Sequence, residues 1–241
     1  MIHDVQAHEN ITVYLNSQID EVAGFVGNFT TRLQGDNKAE IKHGIIIVAT
    51  GAAEYQPDKF LFGQNNRIIT QWQLEEKLQN GFNADKVVMI QCVGSRDDEH
   101  PWCSRVCCGE AVKNALAIKE KNPAAEVTIL YRDIRTYEYK ELYYRQARER
   151  GVRFIHFPDN KYPDVSANGS AVTITVHDTV MDEPLTLRAD LLVLSAATVP
   201  DRTTNERLSE LLKAPLNSDG FFMEAHVKLR PVDFANEGIY V

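Results

Sequence analysis

The spacing of apolar and polar positions changes character part-way along the chain. The first stretch carries short runs. ITVYLNSQI at 11–19, with Ile11, Val13, Leu15 and Ile19 among its apolar positions, predicts a strand. FVGNFTTRLQGD at 25–36 alternates and ends in a turn-forming GDN, and KAEIKHGIIIVATGA at 38–52 gives a short strand followed by the apolar IIIVA. Together, residues 11–49 predict a small antiparallel unit feeding a buried parallel strand. After a loop around Pro57, TQWQLEEKLQNG at 70–81 predicts a helix. Thr70 is its cap, Gly81 its stop, and Trp72, Leu74 and Leu78 its inner face.

From residue 86 the rhythm becomes regular. KVVMIQC (86–92), EVTILYRD (126–133) and VRFIHFP (152–158) are strand-like; CCGEAVKNALAIKEKN (107–122) and YKELYYRQARERG (139–151) are helical. This β-α-β-α-β order with short connections predicts a parallel sheet with right-handed crossovers. A hairpin is expected over 170–178 and 184–189, a buried strand over 190–197 and a helix over 205–214; 221–232 and 238–241 close the chain. IIIVATGAAEYQP (45–57) and LLVLSAATVPD (191–201) echo each other, as if one half interrupted another of similar build. The expected fold class is α/β with a Rossmann-like parallel sheet. The expected domains are 1–82, 83–198 and 199–241, the middle one inserted into the outer pair.

Composition narrows the function. The 241 residues are 44% hydrophobic, enough for one large core or two lobes. A formal charge of −8 without any basic run argues against a nucleic-acid or anionic-membrane surface as the main function. No apolar stretch approaches the roughly 20 residues of a membrane span. MIHDVQAHEN does not resemble a signal peptide, so a cytoplasmic location is expected.

The remaining signal is the placement of cysteine. All four thiols, Cys92, Cys103, Cys107 and Cys108, fall between the first strand of the βαβ run and the start of its helix. A dinucleotide-binding unit has a short glycine-rich turn there, from which backbone N–H groups approach a pyrophosphate. Here the connection is long and holds Gly94, with Gly109 and Ala111 as remnants of a tight helix–strand contact. A helix start favours thiolates, and four thiolates suit a [4Fe–4S] cluster. The C-x10-C-x3-C-C spacing matches neither common ferredoxins nor paired zinc knuckles. A metal-free redox dithiol, zinc and mere burial remain open as alternatives. Arg96 and Arg105 flank the thiols, His100 is a candidate further ligand, and Arg132 stands where a basic residue can hold a 2′-phosphate.

CVGSRDDEHPWCSRVCCGEAVKNAL followed by EVTILYRDIRTY resembles the flavin- and iron–sulfur-containing A subunit of heterodisulfide reductase, from VGNF at 26–29 to LRPV…EGIYV at the end. The resemblance implies a thioredoxin-reductase-like core in which an FAD domain is interrupted by a second, NAD(P)-type domain. It implies a [4Fe–4S] cluster on Cys92, Cys103, Cys107 and Cys108, and electron transfer between FAD and clusters toward a disulfide such as CoM-S-S-CoB. Implied partners are other subunits of such a complex and ferredoxin or hydrogenase-type electron donors. Thr50 and Gly51 match the ATG turn near FAD, and Ile19 falls where an adenine contact is usual. The family's first glycine-rich turn is not found in residues 1–40, so a fragment of a larger subunit, inactive alone and doubtful in FAD binding, is expected. The alternatives are an NAD(P)H-dependent disulfide reductase using a cysteine dithiol, and a non-catalytic partner-docking or zinc-binding module.

Overall fold

The computed structural model describes residues 2–168 and 171–241. Ser170, first in the hairpin expected over 170–178, lies outside the described residues. In chain order the elements begin with α1 (Ile2–Ala7), β1 (Ser17–Phe25), β2 (Asn28–Gly35), β3 (Glu40–His43), β4 (Ile46–Ile47), β5 (Ala53–Glu54), β6 (Ile68–Thr70) and α2 (Gln71–Asn80). They continue with β7 (Lys86–Val93), α3 (Cys107–Lys121), β8 (Glu126–Tyr131), α4 (Lys140–Glu149), β9 (Arg153–His156), β10 (Asp164–Asn168), β11 (Ala171–Asp178) and β12 (Glu183–Ala189). The last are β13 (Leu191–Ala196), β14 (Thr198–Val199), α5 (Arg202–Leu212) and β15 (Ile239–Tyr240).

The chain divides into two compact units, 53–199 and 1–52 with 200–241. In the first, five strands form a sheet in the order β6-β13-β7-β8-β9, every neighbouring pair parallel. Both faces are covered, which is why these strands read as unbroken apolar runs. Successive side chains point to opposite faces. Val87, Met89, Val127, Ile129 and Val193 pack with Leu74 and Leu78 of α2 and Val112, Ala115 and Ile118 of α3. Val88, Ile90, Leu130, Leu192 and Leu194 pack instead with Val172, Ile174 and Val176 of β11. β11 is the middle strand of an antiparallel three-stranded sheet, β10-β11-β12. The unit is therefore a three-layer α/β fold with a Rossmann-like parallel sheet.

This unit begins at residue 53, not 83, because β6 pairs with β13 and brings α2 onto the sheet. The α2 start is a capping box: the Thr70 hydroxyl accepts from the Gln73 N–H at 3.3 Å, and the Gln73 side-chain oxygen accepts from the Thr70 N–H at 2.9 Å. Trp72, expected inside, is 49% exposed; Leu74 and Leu78 alone form the buried apolar stripe. Gly109 does not serve a helix–strand contact. A Cβ there would meet the Lys140 side chain of α4 at 3.4 Å. The two echoing segments coincide with the crossings between units: β5 and β14 pair antiparallel, Ala53 with Val199 and Glu54 with Thr198.

In the second unit β1, β2 and β3 form an antiparallel sheet and β4 pairs parallel with β15. Its core gathers Phe29, Val48, Leu212, Ala214, Phe234 and Ile239. The strand expected over 11–19 instead begins at Ser17. Asn16 is left-handed (φ 51°) and bonds Asp36, so the chain turns just before the strand. IIIVA forms only a two-residue strand, and Ile47 is 66% exposed within it. Residues 221–232 close by isolated bridges rather than as a strand. α5 starts at Arg202, three residues before the expected 205, because the Asp201 carboxylate accepts from the Thr204 N–H at 3.1 Å.

Candidate functional site

Strand order reverses between β13 and β7: β8 and β9 succeed β7 on one side, while β13 lies on the other. Helices on either side of such a reversal leave a crevice at the carboxyl ends of the strands, where open α/β sheets bind their ligands. The segment carrying all four cysteines begins at this point. Beneath it lies a buried polar network. Gln71 and Gln91 each donate to the Ser195 hydroxyl, at 3.1 and 2.8 Å, and Asn114 donates to the Gln71 side-chain oxygen at 2.8 Å. This ties α2 and α3 to β7 and β13 one residue before Cys92 and Ala196.

The segment is strained at its start. Cys92, Gly94 and Arg96 all have left-handed backbone, with φ of 60°, 70° and 58°. For Cys92 and Arg96 this costs on the order of 1–3 kcal/mol each and persists only where the surroundings enforce it. The surroundings do so. Arg96 N–H donates to the Trp102 carbonyl at 3.0 Å and Trp102 Nε1 donates to the Thr198 carbonyl at 3.1 Å. The Ser104 hydroxyl accepts from the Thr198 N–H at 2.9 Å. His100 Nδ1 lies 2.9 Å from the Gly94 carbonyl, and its ring packs edge-on against Tyr55 and Trp102. His100 thus braces the segment. A side chain at Gly94 would run into the Tyr55 ring.

All four cysteines are free; Cys92, Cys107 and Cys108 are buried and Cys103 is partly so. The Cys107 thiol donates to the Ala196 carbonyl and the Cys108 thiol to the Asp133 carbonyl, both at 3.6 Å. Adjacent thiols therefore lean toward the exits of different strands. Cys103 Sγ accepts from the Arg105 N–H at 3.4 Å. The expectation that the helix start lowers thiol pKa values is overturned for Cys107 and Cys108. Burial pushes Cys107 up to about 12, against a lowering hydrogen bond from Ser104, and Cys92, Cys108 and Glu110 raise it further. Cys108 is raised chiefly by burial, with Cys92 and Cys103 adding to it. Each of these two thiols feels the charge of others in the set, so the four occupy one electrostatic neighbourhood. Among the described residues, however, no three Cys, His, Asp or Glu side chains are grouped closely enough to hold a metal ion. The Cys107 and Cys108 thiols rest instead on backbone carbonyls.

Cations surround the thiols. Arg96 pairs with Asp133 at 2.8 Å. Burial works against its charge, but Cys92, Asp133 and Asp159 outweigh burial and hold the guanidinium above its ordinary value. Arg135 behaves alike, with Cys103 the largest factor opposing its desolvation. Arg105 is exposed. Arg132 is 5% exposed and donates to the carbonyls of Ser95 and Arg96. That geometry, with Tyr55 against Gly94, weighs against a dinucleotide phosphate at this strand exit.

A groove of about 840 Å³ runs from the start of α3 along its outer face, lined by Trp72, Val106, Gly109, Leu116, Lys140 and Tyr143 among others. Glu110 stands in it, its carboxyl pushed up to about 7 by burial and then by Glu75. Of the crowded tyrosines, Tyr137, Tyr139 and Tyr143 are exposed, while Tyr144 packs on Phe154 with ring centroids 4.7 Å apart. In the other unit, Gly51 is left-handed (φ 68°) with open space where a Cβ would point, and Thr50 beside it is exposed. Ile19 is half-buried on β1, and its carbonyl accepts from Arg207 at 2.8 Å.

No protein-family model matches the chain. Against curated proteins, it is 35% identical over 229 residues to the A subunit of the H2:CoB-CoM heterodisulfide, ferredoxin reductase of Methanothermobacter thermautotrophicus, covering 86% of this chain and 34% of that protein. It is 37% identical over 230 residues to the iron-sulfur A subunit of the CoB–CoM heterodisulfide reductase of Methanocaldococcus jannaschii, with the same coverage of 86% and 34%. The chain is homologous to the A subunit of heterodisulfide reductase. It spans about a third of the length of the curated relatives it matches. Among solved structures, it resembles the thioredoxin reductase of T. acidophilum (14% identity, TM-score 0.48, covering 93% of this chain and 64% of that one). It also resembles that of Lactococcus lactis (15% identity, TM-score 0.49, covering 93% and 64%).

Sequence reasoning missed several residues that shape this site. Tyr55 fills the space beside Gly94, Ser104 ties the segment to β14, and Asp159 pairs with two of its arginines. Gly94 itself was a signal for Tyr55, since a glycine kept in a long, non-phosphate connection needs some other close neighbour. Asp159 left no local signal, because only the fold brings the end of β9 beside the end of β7.

Proposed function

We propose that Cys92, Cys103, Cys107 and Cys108 are the ligands of a [4Fe–4S] cluster and that the chain is an electron-transfer section of a heterodisulfide-reductase-like oxidoreductase. In the whole protein, electrons pass between FAD and iron–sulfur clusters toward a disulfide such as CoM-S-S-CoB. Ferredoxin or hydrogenase-type proteins are the exchanging partners. The observation that carries the reading is that all four free cysteines, three of them buried, lie on the one segment that leaves the sheet at the strand-order reversal, with Cys107 and Cys108 set against the exits of β13 and β8.

A cluster held there supplies one-electron transfer. The chain's residues make it tenable. Ligation would take the protons from the thiols, which burial otherwise opposes at Cys107 and Cys108. Holding the cluster would draw Cys107 off the Ala196 carbonyl and Cys108 off the Asp133 carbonyl. Arg96 and Arg135 balance negative charge, and the His100 ring, packed edge-on against Tyr55 and Trp102, braces the segment. Backbone amides and these cations tune the potential. In the other unit Ile19, Thr50 and Gly51 are proposed FAD contacts; Gly51, left-handed and unobstructed, suits close approach of a flat group.

The test is iron and acid-labile sulfide per chain after anaerobic reconstitution, wild type against Cys107→Ser. The reading expects about four of each in the wild type, as a four-iron cluster requires, and loss in the variant. An iron-free wild type contradicts it.

A further inference from the structure

Arg132 was a candidate for binding phosphate, yet its guanidinium is turned inward. Nη2 donates to the Ser95 carbonyl at 2.8 Å and Nη1 to the Arg96 carbonyl at 3.2 Å. Nε faces the Asp159 carboxylate at 3.5 Å, and the guanidinium lies over the Tyr162 ring, 5.3 Å from its centroid. An arginine buried this deeply is kept only when paired and hydrogen-bonded. Here most of its bonds are spent on two consecutive carbonyls of the strained turn. The same turn carries the left-handed Cys92, Gly94 and Arg96, and Ser95 N–H closes it on the Cys92 carbonyl at 3.4 Å. Left-handed backbone at a cysteine has to be enforced from outside. The rigid fork of arginine grips two carbonyls at once, which a lysine ammonium cannot do with the same geometry.

We infer that Arg132 is a positioning residue for the thiol of Cys92: it clamps the turn from Cys92 to Arg96 and places a fixed, buried positive charge beside the cluster, with Asp159 offsetting part of that charge from the solvent side. The inference rests on the cluster reading above. It assigns Arg132, Asp159 and Tyr162 together, three residues that converge from the ends of β8 and β9 and the segment after β9.

The test compares wild type, Arg132→Lys, Arg132→Met and Asp159→Asn as full chains reconstituted anaerobically. Circular dichroism checks folding, and the readouts are the rate of iron release to a ferrous chelator and the reduction potential of the bound centre. Arg132→Met is expected to release iron several-fold faster and to have a lower potential, because a nearby positive charge is gone. Arg132→Lys keeps the charge and loses the fork, so its release is faster while its potential stays near wild type. Asp159→Asn removes an exposed negative charge that faces Arg132 and raises the potential. A purely structural role for Arg132 does not produce opposite shifts in Arg132→Met and Asp159→Asn. If Arg132→Met does not fold, Arg132→Lys and Asp159→Asn decide. Wild-type release and potential throughout the folded variants overturn the clamp while leaving the cluster reading intact; a wild type that takes up no iron overturns the cluster reading itself.

Discussion

The two ends of the five-stranded sheet are built on opposite lines. At the amino end, Lys86, Glu126 and Arg153 start three adjacent strands and form a ladder of half-exposed ion pairs, at 3.6 and 3.1 Å. Their backbone is ordinary strand, and any of these charges can be rehydrated at little cost. At the carboxyl end, β7 runs into a left-handed cysteine and a glycine pressed by Tyr55, and β8 runs into an arginine buried against carbonyls. The sheet core between the two ends is the same close-packed aliphatic layer. One end of a single scaffold thus tolerates change while the other holds a fixed, unfavourable geometry. That contrast, more than the cysteine count alone, supports placing the proposed site at the carboxyl end.

The contrast can be broken experimentally. Gly94→Ala attacks the carboxyl end twice, through left-handed backbone and through collision with Tyr55, and is expected to cost about 1–3 kcal/mol in denaturant unfolding. Adding Tyr55→Ala to it relieves the collision but not the backbone strain. A double-mutant cycle therefore shows coupling between the two sites. Thr70→Ala removes the capping box where β6 passes into α2 and costs about 1 kcal/mol by the same measurement. Glu126→Gln breaks both amino-end pairs and shifts stability by less than about 1 kcal/mol. A loss from Glu126→Gln equal to that from Gly94→Ala removes the distinction between the ends.

Much of the inner unit was legible because its strands are buried on both faces. Runs such as KVVMIQC and DLLVLSAA have no polar alternation, and the helices between them carry clear apolar stripes. The outer unit was harder. Ile11, Val13 and Leu15 imitate a strand, but Asn16 and Asp36 impose a turn through side-chain bonding that apolar spacing does not register. Trp72 occupies an apolar position of its helix but lines a groove rather than the core. The four cysteines were visible as a set. The raised pKa values of Cys107 and Cys108 were not, because helix position favours the thiolate whereas burial, which only the fold determines, opposes it more strongly. Arg132 was visible as a cation after a strand; its inward turn depended on Ser95, Asp159 and Tyr162 arriving from other parts of the chain.

The most direct test of the central claim is native mass spectrometry of the anaerobically reconstituted chain, beside single serine variants of Cys92, Cys103, Cys107 and Cys108. The account predicts one dominant species carrying four irons and four sulfides, as one such cluster requires, absent or depleted in every variant. A wild type that remains iron-free, carries a single zinc, or keeps its full cluster in the variants contradicts it.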